Sequence, residues 1–259
     1  MLDLSSFAGF YLFLDTKKNR LVFEVDGSSS FKDDLIVSLK DLFPVLLNKH
    51  IQYPQRVYRK YKNLLSPVFT EKGFYFDLYL IPCGLLGIEF IKSHIYYSNS
   101  SENNYDSVIQ CYHGELVVII QKHQLNADYI GSVFTKVDDI KIVDCKPGDT
   151  LFIPSGYFYT FINKGTEPVV FSRFSRTGSD PIDYSLLRKE RGMAYFVISK
   201  NAKVEKVSNP KYRLAEGVRD IFVSRQDLIK SQEFKNLYLP LNFDSKSFIE
   251  QIDSIVEFL

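Results

Sequence analysis

Histidine, the side chain most used in acid–base and metal chemistry near neutral pH, is scarce in this chain. There are four histidines, of which His94 stands in the sequence His94-Ile95-Tyr96, and a group of phenols at Tyr157 and Tyr159. One imidazole among phenols is a poor donor set for zinc, iron or manganese, which take imidazole, thiolate or carboxylate. Tyr96 would have to ligate as a phenolate, and its unperturbed pKa is about 10. His113 and Glu115 flank Gly114 and alternate with apolar residues, the pattern of a solvated turn rather than a ligand pair. Arg173 and Arg176 can each grip phosphate in two-point fashion. Their strand spacing sends them to opposite faces, so they are not expected in one cavity. Arg56, Arg59, Lys60 and Lys62 interleave with Tyr58 and Tyr61, a strip that suits an exposed strand face or weak stacking and phosphate contact with RNA. Basic residues number 32 and acidic residues 31, so the chain as a whole gives no reason to expect a polyanion, and the exposed face is the reading adopted.

The elements that must position these residues are mostly strands. From Val57 to Phe174 short apolar or alternating runs recur between turn signals, among them VYRKY, FYFDLYLIP, VIQCY, ELVVII, TLFIP and VVFSRF. This predicts a sandwich or barrel over 57–207 rather than βαβ units. Gly148 to Asn163 reads turn, strand, turn, strand: Gly156 supplies the positive φ of the second turn, and Tyr157, Tyr159 and Phe161 share one face of the returning strand. Phe10 to Val25 predicts a hairpin that adds strands to one sheet. Lys32 to Leu47 has the spacing of a short helix up to Phe43, stopped by Pro44. Met193–Ile198 and Ala202–Val207 read as a late strand pair, and 225–237 and 245–259 as helices.

The segment GDTLFIPSGYFYTFIN resembles the second sequence motif of the cupin superfamily in its glycine, proline and asparagine spacing. His94-Ile95-Tyr96 and Ser107 stand where the first cupin motif has His-x-His and a glutamate, with a polar insertion at 98–106. The flanks LYLIPCGLLGIEF, Asp183-Tyr184, Gly192 and Asn209-Pro210 sharpen this into a resemblance to the cupin-type glucose-6-phosphate isomerases over roughly residues 35–213. The resemblance implies an all-β fold with added helices: a cupin double-stranded β-helix, or jelly-roll barrel, at 57–213. An N-terminal hairpin and short helix at 1–56 would pack on it, and 214–259 would form a C-terminal helical extension.

Carried over residue by residue, the family's metal set of three histidines and a glutamate becomes His94, Tyr96, Tyr159 and Ser107, so only His94 keeps its residue type. The other positions lose the carboxylate and two imidazoles, and no metal and no catalytic residue are expected. The pocket candidates are His94, Tyr96, Ser107, Tyr159 and Tyr58, the last matching a family tyrosine near the substrate. The family's phosphate-binding threonines have no counterpart, which leaves Arg173 and Arg176 as phosphate candidates. The expected function is a non-catalytic cupin that binds or interacts. The rivals are an active sugar-phosphate isomerase with replacement ligands (a divalent metal, Glu102 or Asp106 folding inward) and a factor bound to a ribonucleoprotein assembly such as the ribosome. Expected partners are a second copy, a protein reading the apolar stripe of 245–259, and a small sugar-phosphate-like ligand; a membrane is not among them. Three widely spaced cysteines, Cys83, Cys111 and Cys145, and an N-terminus without a basic leader suit packing thiols in a cytoplasmic protein.

Overall fold

The short apolar runs form two main sheets, and the chain crosses between them several times from Tyr105 to Ser175. The first sheet runs in the order Thr150–Pro154, Tyr105–His113, Val169–Ser175, Tyr75–Ile81, Arg56–Tyr61, Asp34–Ser38. The second runs Tyr212–Leu214, Thr135–Cys145, Leu116–His123, Phe158–Asn163, Tyr96–Tyr97, and Phe222–Val223 also pairs with Thr135–Cys145. A smaller sheet joins Lys203–Ser208, Tyr195–Lys200, Glu89–Phe90 and Leu85–Leu86. This is the jelly-roll barrel expected from the sequence. The structure, a computed structural model, describes residues 1–24, 34–64, 74–98, 105–123, 134–175 and 191–223, with backbone alone at 34, 105 and 106.

Strand alternation divides the first sheet between two cores. Tyr58, Tyr79, Ile109, Phe171 and Leu151 meet Val118, Ile140, Tyr159 and Phe161 of the second sheet in the barrel interior. Leu78, Leu80, Val108, Phe152, Val170 and Phe174 point the other way and pack against Leu12, Leu14 and Leu21. The N-terminal hairpin, Tyr11–Asp15 with Arg20–Glu24, therefore does not extend a barrel sheet as expected. It forms its own three-stranded sheet with Leu2–Asp3 and lies face to face on the first sheet. Covering an apolar face removes more surface from water than pairing one edge does. The Leu21 amide donates to the Tyr61 hydroxyl at 2.9 Å, tying the two layers together.

The expected helix over 32–43 is corrected too. Asp34–Ser38 is an edge strand of the first sheet, and the helix is only Leu39–Leu42, followed by a 3-10 turn at Phe43–Val45. The barrel sheet thus begins before residue 57. At the other end, Tyr212–Leu214 and Phe222–Val223 add parallel strands to Thr135–Cys145, so the stretch just past 213 is not helical. The helix expectations at 225–237 and 245–259, and with them the protein-binding stripe, lie outside the described residues.

Outside the barrel interior a buried ion pair anchors the 45–47 turn. Lys92 donates to Glu89 and to the Val45 carbonyl, the latter at 2.7 Å, while Glu89 accepts the Leu47 amide at 3.1 Å. Glu89→Gln keeps the shape but removes the charge that balances Lys92. It is expected to cost about 2 kcal/mol in a urea melt, whereas Glu205→Gln, in the more exposed pair with Lys200, should change little.

Candidate functional site

The motif glycines and asparagine build the frame of the site. Gly148 and Gly156 both sit at left-handed φ, +86° and +81°, where their turns reverse the chain. Asn163 is fully buried and structural: its amide donates to the carbonyls of Ile81 and Glu167 at 3.0 and 2.8 Å, and its oxygen accepts the Gly165 amide at 2.9 Å. Downstream, Asn209 donates to the Met193 carbonyl at 3.0 Å, and the Tyr212 hydroxyl donates to that of Gly192 at 2.7 Å.

Inside this frame the barrel brings His94, Tyr58, Tyr96, Ser107 and Tyr159 together. The Tyr58 hydroxyl lies 2.6 Å from His94 Nδ1 and 3.2 Å from the Tyr96 hydroxyl, and accepts the His94 amide at 3.3 Å. With the phenol donating, the imidazole accepts at Nδ1 and carries its proton on Nε2. Burial, opposed by Asp41 and helped by Lys60 and Lys62, pushes the His94 pKa down to about 4, so the ring is neutral at pH 7. Ser107 Oγ and the Tyr159 hydroxyl are 3.4 Å apart, and the Tyr96 and Tyr159 rings stack at 5.6 Å. Burial raises the Tyr96 and Tyr79 pKa values well above the ordinary phenol, so neither supplies a phenolate.

Sequence reasoning missed the charges in this interior. Lys60, expected on an exposed strip, is 2% exposed, and its Nζ lies 5.2 and 5.1 Å from the Tyr79 and Tyr96 ring centroids. Alternation splits the strip: Tyr58 and Lys60 face the interior, while Tyr61 faces the N-terminal sheet and is buried there. Asp77 faces the same interior, 3.4 Å from Lys60 Nζ and 3.8 Å from Arg173 Nη1. Arg173 is fully buried, with its guanidinium 5.2 and 5.6 Å from the Tyr96 and Tyr159 centroids. Arg176 and Glu102 lie outside the described residues, and Asp106 is described by its backbone alone. His113 is partly exposed and 3.9 Å from Glu167, as suits a turn. Cys111 and Cys145 are buried, but Cys83 is exposed rather than packed.

Among the described residues, the side chains gathered here are a poor donor set for a divalent metal. Among the described residues no three of His, Cys, Asp and Glu converge as a ligand group. His94 Nδ1 is engaged by Tyr58, burial holds the Tyr96 phenol neutral, and a guanidinium lies against Tyr96 and Tyr159. The arrangement suits hydrogen bonding by hydroxyls between aromatic walls. Among the described residues no helix is long and apolar enough to cross a membrane.

Comparison with known proteins adds the following. A family profile described as Glucose-6-phosphate isomerase (GPI) matches residues 45–213. The Lactobacillus farciminis oxalate decarboxylase formate complex aligns at 14% identity and TM-score 0.33, over 50% of this chain and 31% of that one. The Schizosaccharomyces pombe Cnp3 cupin domain aligns at 12% identity and TM-score 0.30, over 49% of this chain and 69% of that one. The Momordica charantia 7S globulin aligns at 14% identity and TM-score 0.29, over 48% and 30%. The match thus spans less than a third of the decarboxylase and of the globulin. No curated protein matches the chain.

Proposed function

The chain belongs to the cupin-type glucose-6-phosphate isomerase family, and from that premise we propose that its barrel is a non-catalytic binding module. It keeps the fold and gives up the metal-dependent isomerisation. The observation that supports this reading is the interior itself: two phenols and a serine stand at three of the four family ligand positions, and Arg173 packs against both phenols. Moving a proton between adjacent carbons needs a base and an electrophile. Ser107 provides no carboxylate, and the imidazole of His94 is held by Tyr58. What remains suits recognition: four hydroxyls from Tyr58, Tyr96, Ser107 and Tyr159, a buried guanidinium, a buried lysine and flat aromatic walls. A small polar or sugar-phosphate-like ligand matches that lining. A second copy of the chain, as the family relation suggests, is proposed as its partner.

The test is direct. Protein purified without chelator should hold no stoichiometric divalent metal and show no isomerisation of glucose 6-phosphate or fructose 6-phosphate with added manganese, iron or zinc. Loss of a general base alone commonly costs a factor of about 100 to 10,000 in rate. Metal-dependent turnover abolished by His94→Ala would overturn this reading in favour of a working isomerase.

A further inference from the structure

A lysine amine becomes a nucleophile when it is desolvated or set beside a second cation, because both favour its neutral form. Both conditions meet at Lys60. Its Nζ sits inside the barrel beside the Tyr79 and Tyr96 rings, and it shares Asp77 with the Arg173 guanidinium. Lys92 is also buried, but its ammonium lies outside this interior, against Glu89 and the Val45 carbonyl. In the same interior the hydroxyls of Tyr58, Tyr96, Ser107 and Tyr159 can both donate and accept. That lining suits a ligand that brings hydroxyls of its own.

We propose that Lys60 binds a small hydroxyl-bearing aldehyde or ketone covalently, as an imine, inside the barrel. This rests on the reading of the interior as a metal-free binding site. The nitrogen lone pair attacks the carbonyl carbon, and the C=O π electrons move to oxygen and take a proton. The carbinolamine then expels its oxygen as water, which carries away the two hydrogens the amine brought. Protonation of the imine restores a positive charge that Asp77 balances as it balances the ammonium. Burial, with Asp77 opposing and Arg173 assisting, holds the Lys60 pKa down to about 7, so a large share of the amine is neutral at neutral pH.

The probe must be small, since even His94, the most open of the interior polar residues, is only 8% exposed. Glycolaldehyde with cyanoborohydride, applied to the full-length folded protein at pH 7 and followed by peptide mass mapping, reads the site directly. The expected result is reductive labelling of Lys60 ahead of the exposed Lys17, Lys18 and Lys203, and loss of that advantage in urea. Lys60→Arg, which keeps a cation beside Asp77, should remove this label and leave the others unchanged. Labelling of the exposed lysines first, in folded wild-type protein, would overturn the proposal whether or not the variant folds. The metal and turnover assays test the premise separately: no metal, no turnover and no Lys60 label sinks the imine alone, whereas metal-dependent turnover sinks the premise.

Discussion

Asp77→Ala is expected to destabilise the protein by about 3–5 kcal/mol, because it removes a carboxylate between two desolvated cations. Asp77 is fully buried; one oxygen accepts the Asn63 amide at 3.1 Å, and the other faces Lys60 at 3.4 Å and Arg173 at 3.8 Å. Without it Lys60 can shed its proton, but Arg173 cannot. The loss should therefore be larger at pH 6 than at pH 8, where Lys60 is mostly neutral. Replacing the whole cluster, Lys60→Met with Asp77→Leu and Arg173→Met, should return stability close to wild type, since no buried charge then remains to balance. Urea unfolding followed by circular dichroism measures all three. A loss under about 1 kcal/mol for Asp77→Ala would show that water reaches this cluster.

The same cluster shows where legibility in the sequence ended. The barrel was readable because turn residues punctuate every strand from 57 to 207, and the two motifs carry glycines whose positive φ the turns require. His94, Tyr96, Ser107 and Tyr159 were readable through those motifs, and Tyr58 through its match to a family tyrosine. Lys60 and Asp77 were not, and the reason lies in the N-terminal sheet. It buries the outer face of the first sheet, so Tyr61 and Leu78 on one side are as buried as Lys60 and Asp77 on the other. With both faces dry, alternation no longer says which side is solvent. A charge in such a strand reads as exposed because charges usually are.

Residues 34–43 failed for a different reason. Leu35, Ile36, Leu39 and Leu42 fit a helical stripe, yet the helix begins only at Leu39. The start signal was present in Ser38 and Asp41: the Ser38 amide and hydroxyl both donate to the Asp41 carboxylate, at 2.9 and 2.8 Å. A capping pair of this kind fixes the helix start more firmly than apolar spacing does. The docking of the hairpin was not legible at all, because a period of two reveals an apolar face but not the surface that will cover it.

Acidification should unfold the protein through two buried histidines. His94 is held by Tyr58, and His123 is stacked on Phe158 at 4.3 Å, its Nδ1 2.9 Å from the Gln121 amide nitrogen. Burial is the largest cause in both, and each has its pKa pushed down to about 4 from an ordinary 6.5. In the unfolded chain each histidine takes up its proton near pH 6.5, whereas in the fold it resists until about pH 4. Between those values the unfolded state binds more protons, so stability falls as pH falls through that window and levels off below it. The gap is worth roughly 3 kcal/mol for each ring, about 6 kcal/mol for the pair. Lys60 extends the rise on the alkaline side: its folded pKa of about 7 lies below its ordinary 10.5, so its contribution grows between those values. Urea midpoints at pH 6.5, 5.5 and 4.5 should decline steadily, and His94→Gln and His123→Gln should each remove about half of the decline. The carboxylates are the same in wild type and variants, so the difference between them isolates the histidines. A decline of the same size in the double variant would mean that neither ring is held neutral by the fold.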